Sequence, residues 1–349
     1  MSRSPAERPR GIPKGAPMPA SASSPVPGGI VARLRAAGCV FAEDEARLLV
    51  SSARTPADLA AMVDRRARGL PIEQVLGWAE FCGLRIAVDP GVFVPRRRTE
   101  FLVRQAAAAD RQTAAGHQPA ADTGSPSTPR PSTPRHSTPR HSTPGRRAAP
   151  DSGPPDAGAA GERPPVIVDL CCGSGAVGAA LAAALGGAEL HAADLDPAAV
   201  ACALRNVAAA GGRVYRGDLY DPLPRSLRGR VDLLVANVPY IPTDAIALLP
   251  PEARVHEPRL ALDGGADGLD VVRRVAAGAR HWLAPRGHLL VETSERQAPG
   301  AVAAFAAFGL VPRVASSDEV SATVVIGTPR LAPAGGASAL DQDHGPRAR

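Results

Sequence analysis

The stretch Asp169-Leu170-Cys171-Cys172-Gly173-Ser174-Gly175-Ala176 constrains the fold more than any other part of the chain. It follows the short apolar run 166–170 and leads into an Ala-rich segment from Val177, a strand, glycine turn and helix in succession. Gly173 and Gly175 let the backbone come close to a ligand and leave amide hydrogens free at the helix start. Further short apolar runs at 188–193, 231–236, 288–292 and 322–326 follow, the early ones separated by Ala-rich helical stretches. Alternation of this kind predicts a largely parallel sheet covered by helices on both faces, with a ligand crevice at the carboxyl ends of its strands. Asp194 follows the second run, nineteen residues beyond Gly175, where a carboxylate can accept both hydroxyls of a ribose. The spacing points to a nucleoside-containing cofactor without separating a dinucleotide from S-adenosylmethionine.

A second motif makes that separation. The run 231–236 ends in Asn237-Val238-Pro239-Tyr240-Ile241-Pro242. An amide nitrogen is a poor nucleophile because its lone pair is delocalised into the carbonyl. Two fixed acceptors that hold its N–H groups can turn the lone pair in line with a methyl sulfonium. The Asn237 side-chain oxygen and the Val238 carbonyl suit that task, and Tyr240 offers a flat apolar wall. No general base is needed, since the proton can leave after transfer. Asn237, Val238, Pro239 and Tyr240 are therefore the expected catalytic residues, for methylation of a planar amide or amine.

Charge argues against a nucleic-acid groove. The net charge of +6 is carried by three Pro/Ser/Gly-rich segments, 1–28, 110–163 and 330–349, and the rest of the chain is neutral. These segments are expected to be disordered. In the middle one, Ser-Thr-Pro-Arg recurs every five residues from Ser127, a proline density that no helix or interior strand sustains. Residues 29–70 read as a small helical domain, with Val31, Leu34, Ala46, Leu49, Val50, Leu59 and Met62 on its inner side. Residues 71–109 read as a connector: a hairpin broken at Gly83 and Asp89-Pro90-Gly91, then a helix N-capped by Thr99. The catalytic domain is expected over 164–329. The five cysteines lack zinc-type spacing, so no metal is expected. Neither a signal peptide nor an apolar run of membrane-spanning length is present, which predicts a cytoplasmic protein.

With these motifs in place, the sequence resembles the HemK/PrmC family of protein-glutamine methyltransferases, which modify the Gly-Gly-Gln glutamine of class-I peptide chain release factors. Further landmarks are Pro71-Ile72-Glu73, Gly77, Glu80-Phe81, Val94-Pro95-Arg96, Thr99-Glu100, the block Glu257-Pro258-Arg259-Leu260-Ala261-Leu262, Gly264-Gly265 and Asp267-Gly268-Leu269. The resemblance covers 29–109 and 164–329 and implies an α/β fold: a Rossmann-like, seven-stranded class I S-adenosylmethionine-dependent methyltransferase domain behind a small N-terminal helical domain. It implies S-adenosylmethionine as cofactor. Asp169, Cys171, Cys172, Gly173, Ser174 and Gly175 would lie about its methionine part, Asp194 at its ribose, Asp218 and Leu219 beside its adenine, and Asn237 at its reactive edge. The acceptor it implies is a protein, a class-I release factor, contacted by the helical domain of a monomer. The chain departs from the family in three places: Val238 replaces the first of two prolines, Cys171 replaces the first turn glycine, and Arg97-Arg98 replaces a proline-acid pair. A cysteine fits that turn only where φ is negative.

Two other readings follow from the same motifs. Adenine amino methyltransferases share an Asn/Asp-Pro-Pro-aromatic turn, but the neutral core and scarcity of aromatic residues argue against a nucleic-acid acceptor. Val238 and Cys171 raise a third, a non-catalytic module that keeps only the cofactor fold.

Overall fold

The computed structural model describes residues 28–115 and 163–330. At the N-terminus, α1 (Gly28–Ala36), α2 (Ala42–Ser52) and α3 (Pro56–Ala67) close around Leu34, Ala42, Ala46, Leu49, Met62 and Val63. Val50, expected inside, is only half-buried at the end of α2. The start of α3 is fixed locally: the Thr55 hydroxyl accepts the Asp58 N–H at 3.0 Å and Pro56 occupies the first turn. A buried bidentate pair, Arg66 to Glu45 at 2.7 and 2.9 Å, ties α3 to α2.

The connector contains a short helix, α4 (Ile72–Leu76), and the hairpin of β1 (Trp78–Phe81) and β2 (Leu84–Ala87). Its two turn residues, Cys82 and Gly83, both have positive φ (49° and 71°), the pattern of a type I′ turn. Phe81 and Ile86 enter the catalytic core. The chain then passes through a 3-10 turn, Arg97–Thr99, into α5 (Glu100–Ala115). Thr99 is therefore no N-cap: it closes that turn and is buried at 2% exposure. The helix also continues past residue 109, so 110–115 are helical, not part of a disordered insertion. Residues 116–162 of that insertion and the tail residues 1–27 and 331–349 lie outside the described residues.

The catalytic domain alternates β3 (Val166–Leu170), α6 (Ala176–Ala184), β4 (Glu189–Asp194), α7 (Pro197–Ala208), β5 (Arg213–Arg216) and β6 (Val231–Ala236). After β6 come α8 (Pro251–His256), α9 (Asp270–Trp282), β7 (Leu283–Thr293), α10 (Ala298–Ala307), β8 (Leu310–Ser317) and β9 (Ala322–Pro329). The seven strands pair in the order β5-β4-β3-β6-β7-β9-β8; all are parallel except β9, which runs against both neighbours. This is the seven-stranded Rossmann-like sheet of class I S-adenosylmethionine-dependent methyltransferases. Ile167, Leu233 and Val235 face a layer formed by α5, α6 and α7, whereas Val168, Leu170 and Leu234 face α9 and α10. Both faces are covered, which is why these strands read as unbroken apolar runs. Each such Leu or Ile contributes about 1.5–3 kcal/mol by leaving water.

The order reverses at β3, whose neighbours are β4 and β6. Leu170 pairs with both Ala193 and Ala236, so the loops after all three strands open at one level. The glycine turn, Asp194 and Asn237 are brought together there because each directly follows or ends one of these strands. No helix among the described residues is long and apolar enough to cross a membrane.

Candidate active site

One cavity is lined by Asp169, Cys171, Cys172, Gly173, Ser174, Asp194, Asp218, Leu219, Asn237, Val238, Pro239 and Tyr240. Gly175 is the one expected site residue behind this wall. Its φ is 76°, and a Cβ there would meet Val207 Cγ2 at 2.8 Å and Ala203 Cβ at 3.2 Å, so its smallness lets α7 close onto the turn.

The turn is held from both sides. The Cys172 N–H donates to the Ala193 carbonyl at 3.1 Å and the Gly175 N–H to the Cys172 carbonyl at 2.7 Å. Asn206 Nδ2 donates to the Ser174 carbonyl (2.8 Å) and the Ala87 carbonyl (2.9 Å), while its Oδ1 accepts the Ala87 N–H (2.8 Å). One side chain thus joins the hairpin to the turn. Cys171 sits at φ 53°, contrary to the negative φ expected of a cysteine there. The turn takes a left-handed conformation here despite the Cβ, at a cost of about 1–2 kcal/mol. Burial pushes the Cys171 and Cys172 thiols well above their ordinary pKa, which suits packing and not nucleophilic chemistry.

The wall is acidic. Asp194 Oδ2 accepts the Gly173 N–H at 2.8 Å and Oδ1 the Asp196 N–H at 2.9 Å, and the Leu195 amide adds to the set that orients the carboxylate. Buried Asp169 accepts the Gly178 N–H at 2.8 Å, and desolvation pushes its pKa up to about 7. Desolvation also raises Asp194. Asp218 is ion-paired with Arg274 at 2.6 Å beside Leu219, whose φ is 48°. A buried carboxylate at Asp169 and a half-buried one at Asp194, both held above the ordinary carboxylate pKa by desolvation, favour a cationic ligand. Together with oriented acceptors for a diol, they fit S-adenosylmethionine, with its sulfonium, ammonium and ribose.

On the other side of the cavity lies the Asn237 turn. Asn237 Nδ2 donates to Thr99 Oγ1 at 3.5 Å. Neither Asn237 Oδ1 nor the Val238 carbonyl accepts a bond from any described residue. Val238 is buried at 2% and has no positive φ. The 257–269 block clamps the turn from below. The Ile241 N–H donates to the Leu262 carbonyl (2.9 Å), the Gly264 N–H to the Ile241 carbonyl (2.8 Å), and Gln297 Nε2 to the Tyr240 carbonyl (2.8 Å). A Cβ at Gly268 would lie 2.3 Å from the Tyr240 carbonyl oxygen, so Gly268 is required by close approach as well as by its φ of 76°.

Sequence reading missed the arginines that line this half. Arg96 pairs with buried Glu257, and Arg98 with buried Glu292 at 3.1 Å and with the Tyr240 hydroxyl. Desolvation leaves both glutamates above the ordinary carboxylate pKa, and the paired arginines only oppose that rise. Arg96-Arg97-Arg98 beside Thr99 was the available signal, but nothing in the sequence names its buried partners. His191 is buried and bonded to the Tyr215 hydroxyl at 3.0 Å, and Trp282 stacks on Tyr220 with centroids 5.7 Å apart.

Comparison with known proteins agrees with this geometry. The family model described as "Methyltransferase small domain" matches residues 161–248. The release factor glutamine methyltransferase of Geobacter sulfurreducens is 34% identical over 277 residues, 78% of either chain. That of Streptomyces coelicolor is 33% identical, over 68% of this chain and 67% of its own. A 4-amino-L-phenylalanine/4-methylamino-L-phenylalanine methyltransferase of Streptomyces pristinaespiralis is also 33% identical, over 71% and 69%. Fold, turn motifs and these relatives agree: the chain belongs to the HemK/PrmC family of release factor glutamine methyltransferases.

Proposed function

We propose that this enzyme transfers a methyl group from S-adenosylmethionine to the side-chain amide nitrogen of a protein glutamine, that of the Gly-Gly-Gln loop of a class-I release factor, in the cytoplasm. The observation that carries the reading is the pair of free acceptors, Asn237 Oδ1 and the Val238 carbonyl, at the end of the strand next to the glycine turn. The cofactor, when bound, supplies an electrophilic methyl on a sulfonium. In this reading Asp194 holds its ribose, the 171–175 turn and Asp169 surround its methionine end, and Asp218 and Leu219 flank its adenine.

The two acceptors each take one N–H of the incoming carboxamide. Its nitrogen is then held with the lone pair facing the methyl, and Tyr240 and Pro239 fix the plane of the amide. With the cofactor bound, its methyl would go to this nitrogen and the amide proton to water, so no side chain has to take the proton. The help the protein gives is positional and electrostatic, with no general base.

Incubation with radiolabelled S-adenosylmethionine and a recombinant class-I release factor tests the reading. One methyl on the Gly-Gly-Gln glutamine by peptide mass spectrometry is the expected result. Label that goes only to other residues, or only to a small arylamine amino acid offered beside the release factor, would remove the proposed acceptor. Val238→Pro provides a second test. The Val238 N–H has no acceptor among the described residues and its φ is not positive, so proline should keep the carbonyl in place. A folded variant with most of its turnover is expected; a folded but inactive one would show that this turn needs a different geometry.

A further inference from the structure

We propose that Asn206 is a positioning residue for the cofactor: it fixes the peptide between Ser174 and Gly175, and so shapes the part of the glycine turn that meets the methionine end of S-adenosylmethionine. The inference rests on the placing of that end against the 171–175 turn.

Asn206 lies in α7 and does not itself line the cavity. Its carboxamide is fully used. Oδ1 accepts the Ala87 N–H at 2.8 Å, while Nδ2 donates to the Ala87 carbonyl at 2.9 Å and to the Ser174 carbonyl at 2.8 Å. One N–H and two carbonyls as partners also fix which end of the amide is which. Reversed, the carboxamide oxygen would face two carbonyl oxygens, and its NH₂ group would face an N–H. A carboxylate of the same shape could answer only the Ala87 N–H.

The Ser174 carbonyl and the Gly175 N–H belong to one planar peptide group. Asn206 holds its oxygen, and the Cys172 carbonyl accepts its N–H at 2.7 Å. With both ends tied the plane cannot rotate, and the φ of 76° at Gly175 is set with it. Contact from α7 acts on the same spot, since a Cβ at Gly175 would meet Val207 Cγ2 at 2.8 Å. Buried Ser174 lines the cavity beside Cys172 and Gly173, so a rotated plane moves the wall. On the other side of Asn206, the connector has holds of its own. Cys202 Sγ donates to the Ala87 carbonyl at 3.1 Å, and Arg205 pairs with Asp89 at 2.6 Å. Altering Asn206 therefore releases the turn more than the hairpin.

Asn206→Asp keeps the shape and sets a carboxylate oxygen against the Ala87 and Ser174 carbonyls. The free turn should relax away from that oxygen, and returning it to the bound shape lowers the affinity of any ligand that touches it. Calorimetry with two probes reads this out. S-adenosylhomocysteine carries the amino-acid part, and methylthioadenosine carries the nucleoside and thioether without it. The variant should bind S-adenosylhomocysteine about ten- to a hundredfold more weakly, the effect of one buried carbonyl left without its donor, and methylthioadenosine within about twofold of wild type. Asn206→Ala removes the donor without adding repulsion. It should show the same split at a smaller size, and it decides the question if Asn206→Asp does not fold. Equal losses for both probes would make Asn206 a purely structural residue, and unchanged affinity for S-adenosylhomocysteine would show the peptide plane fixed without it; either result overturns the proposal. A wild-type enzyme that binds S-adenosylhomocysteine no more tightly than methylthioadenosine removes the placing of the methionine end itself, and the proposal with it.

Discussion

Replacing Asn237 with alanine should lower kcat on the release factor by about 10²–10³-fold, the cost of removing one preorganised acceptor, while S-adenosylmethionine affinity stays within about twofold. The division follows from where the bonds go. On the cofactor side, the carboxylate of Asp194 is fixed by the Gly173 and Asp196 amides, and the turn by Ala193 and Asn206, none of which involves Asn237. On the acceptor side, Asn237 contributes one of two oxygens that take the amide protons, and its loss leaves the nitrogen free to rotate out of line. The backbone of the turn should stay where it is, because it is held by Leu262, Gly264 and Gln297 and not by the asparagine side chain. Single-turnover rates with calorimetric titration of the cofactor separate the two effects. An equal loss of cofactor affinity would show that Asn237 serves chiefly to bind the cofactor, and would contradict the assigned role.

The two halves of the site differ in how far the sequence disclosed them. Both ends of the cofactor wall belong to short continuous motifs, 169–176 and Asp194, each following an unbroken apolar run. Burial of β3 and β4 on both faces makes such runs visible. By contrast, no apolar run placed β5 and β8, although the resemblance implied seven strands. They are the two edge strands, and their exposed positions break the apolar pattern, as in the Arg213-Val214-Tyr215-Arg216 alternation. On the acceptor side, the Asn237 turn was legible because its chemistry is local. Thr99, Arg98 and Glu292 were not, because 194 residues separate the members of the Arg98–Glu292 pair and their meeting depends on how α5 crosses the sheet. Thr99 was read as a helix cap, a local role that fits its residue type, and burial against Asn237 overrode it. Cys171 failed in the opposite sense: local rules exclude a Cβ at φ 53°, and the tertiary bonds of the turn impose it anyway.

Gly264→Ala should damage the site as severely as loss of a functional group, although Gly264 carries no side chain to do chemistry. A Cβ there would stand 2.8 Å from the Gly268 carbonyl oxygen, the Pro239 carbonyl oxygen and Tyr240 Cα. All three are backbone atoms, so no rotamer change relieves the clash, and the Asn237 turn and the 257–269 block must separate. Overpacking of this kind costs about 1–3 kcal/mol of stability. The larger effect should be on kcat, since Tyr240 and the Val238 carbonyl sit on the segment that is pushed. A shift approaching 1 Å costs on the order of a hundredfold in an aligned reaction. Cofactor affinity should change little, because the block touches the acceptor half of the cavity. Gly91→Ala isolates the alternative explanation of backbone strain alone: its φ is 80° and nothing lies within 4 Å of its Cβ position. That variant should lose about 1–2 kcal/mol from the left-handed conformation and keep its turnover. If Gly264→Ala proved folded and fully active, the Gly264-Gly265 pair would not be the clamp that holds the acceptor turn against the cofactor.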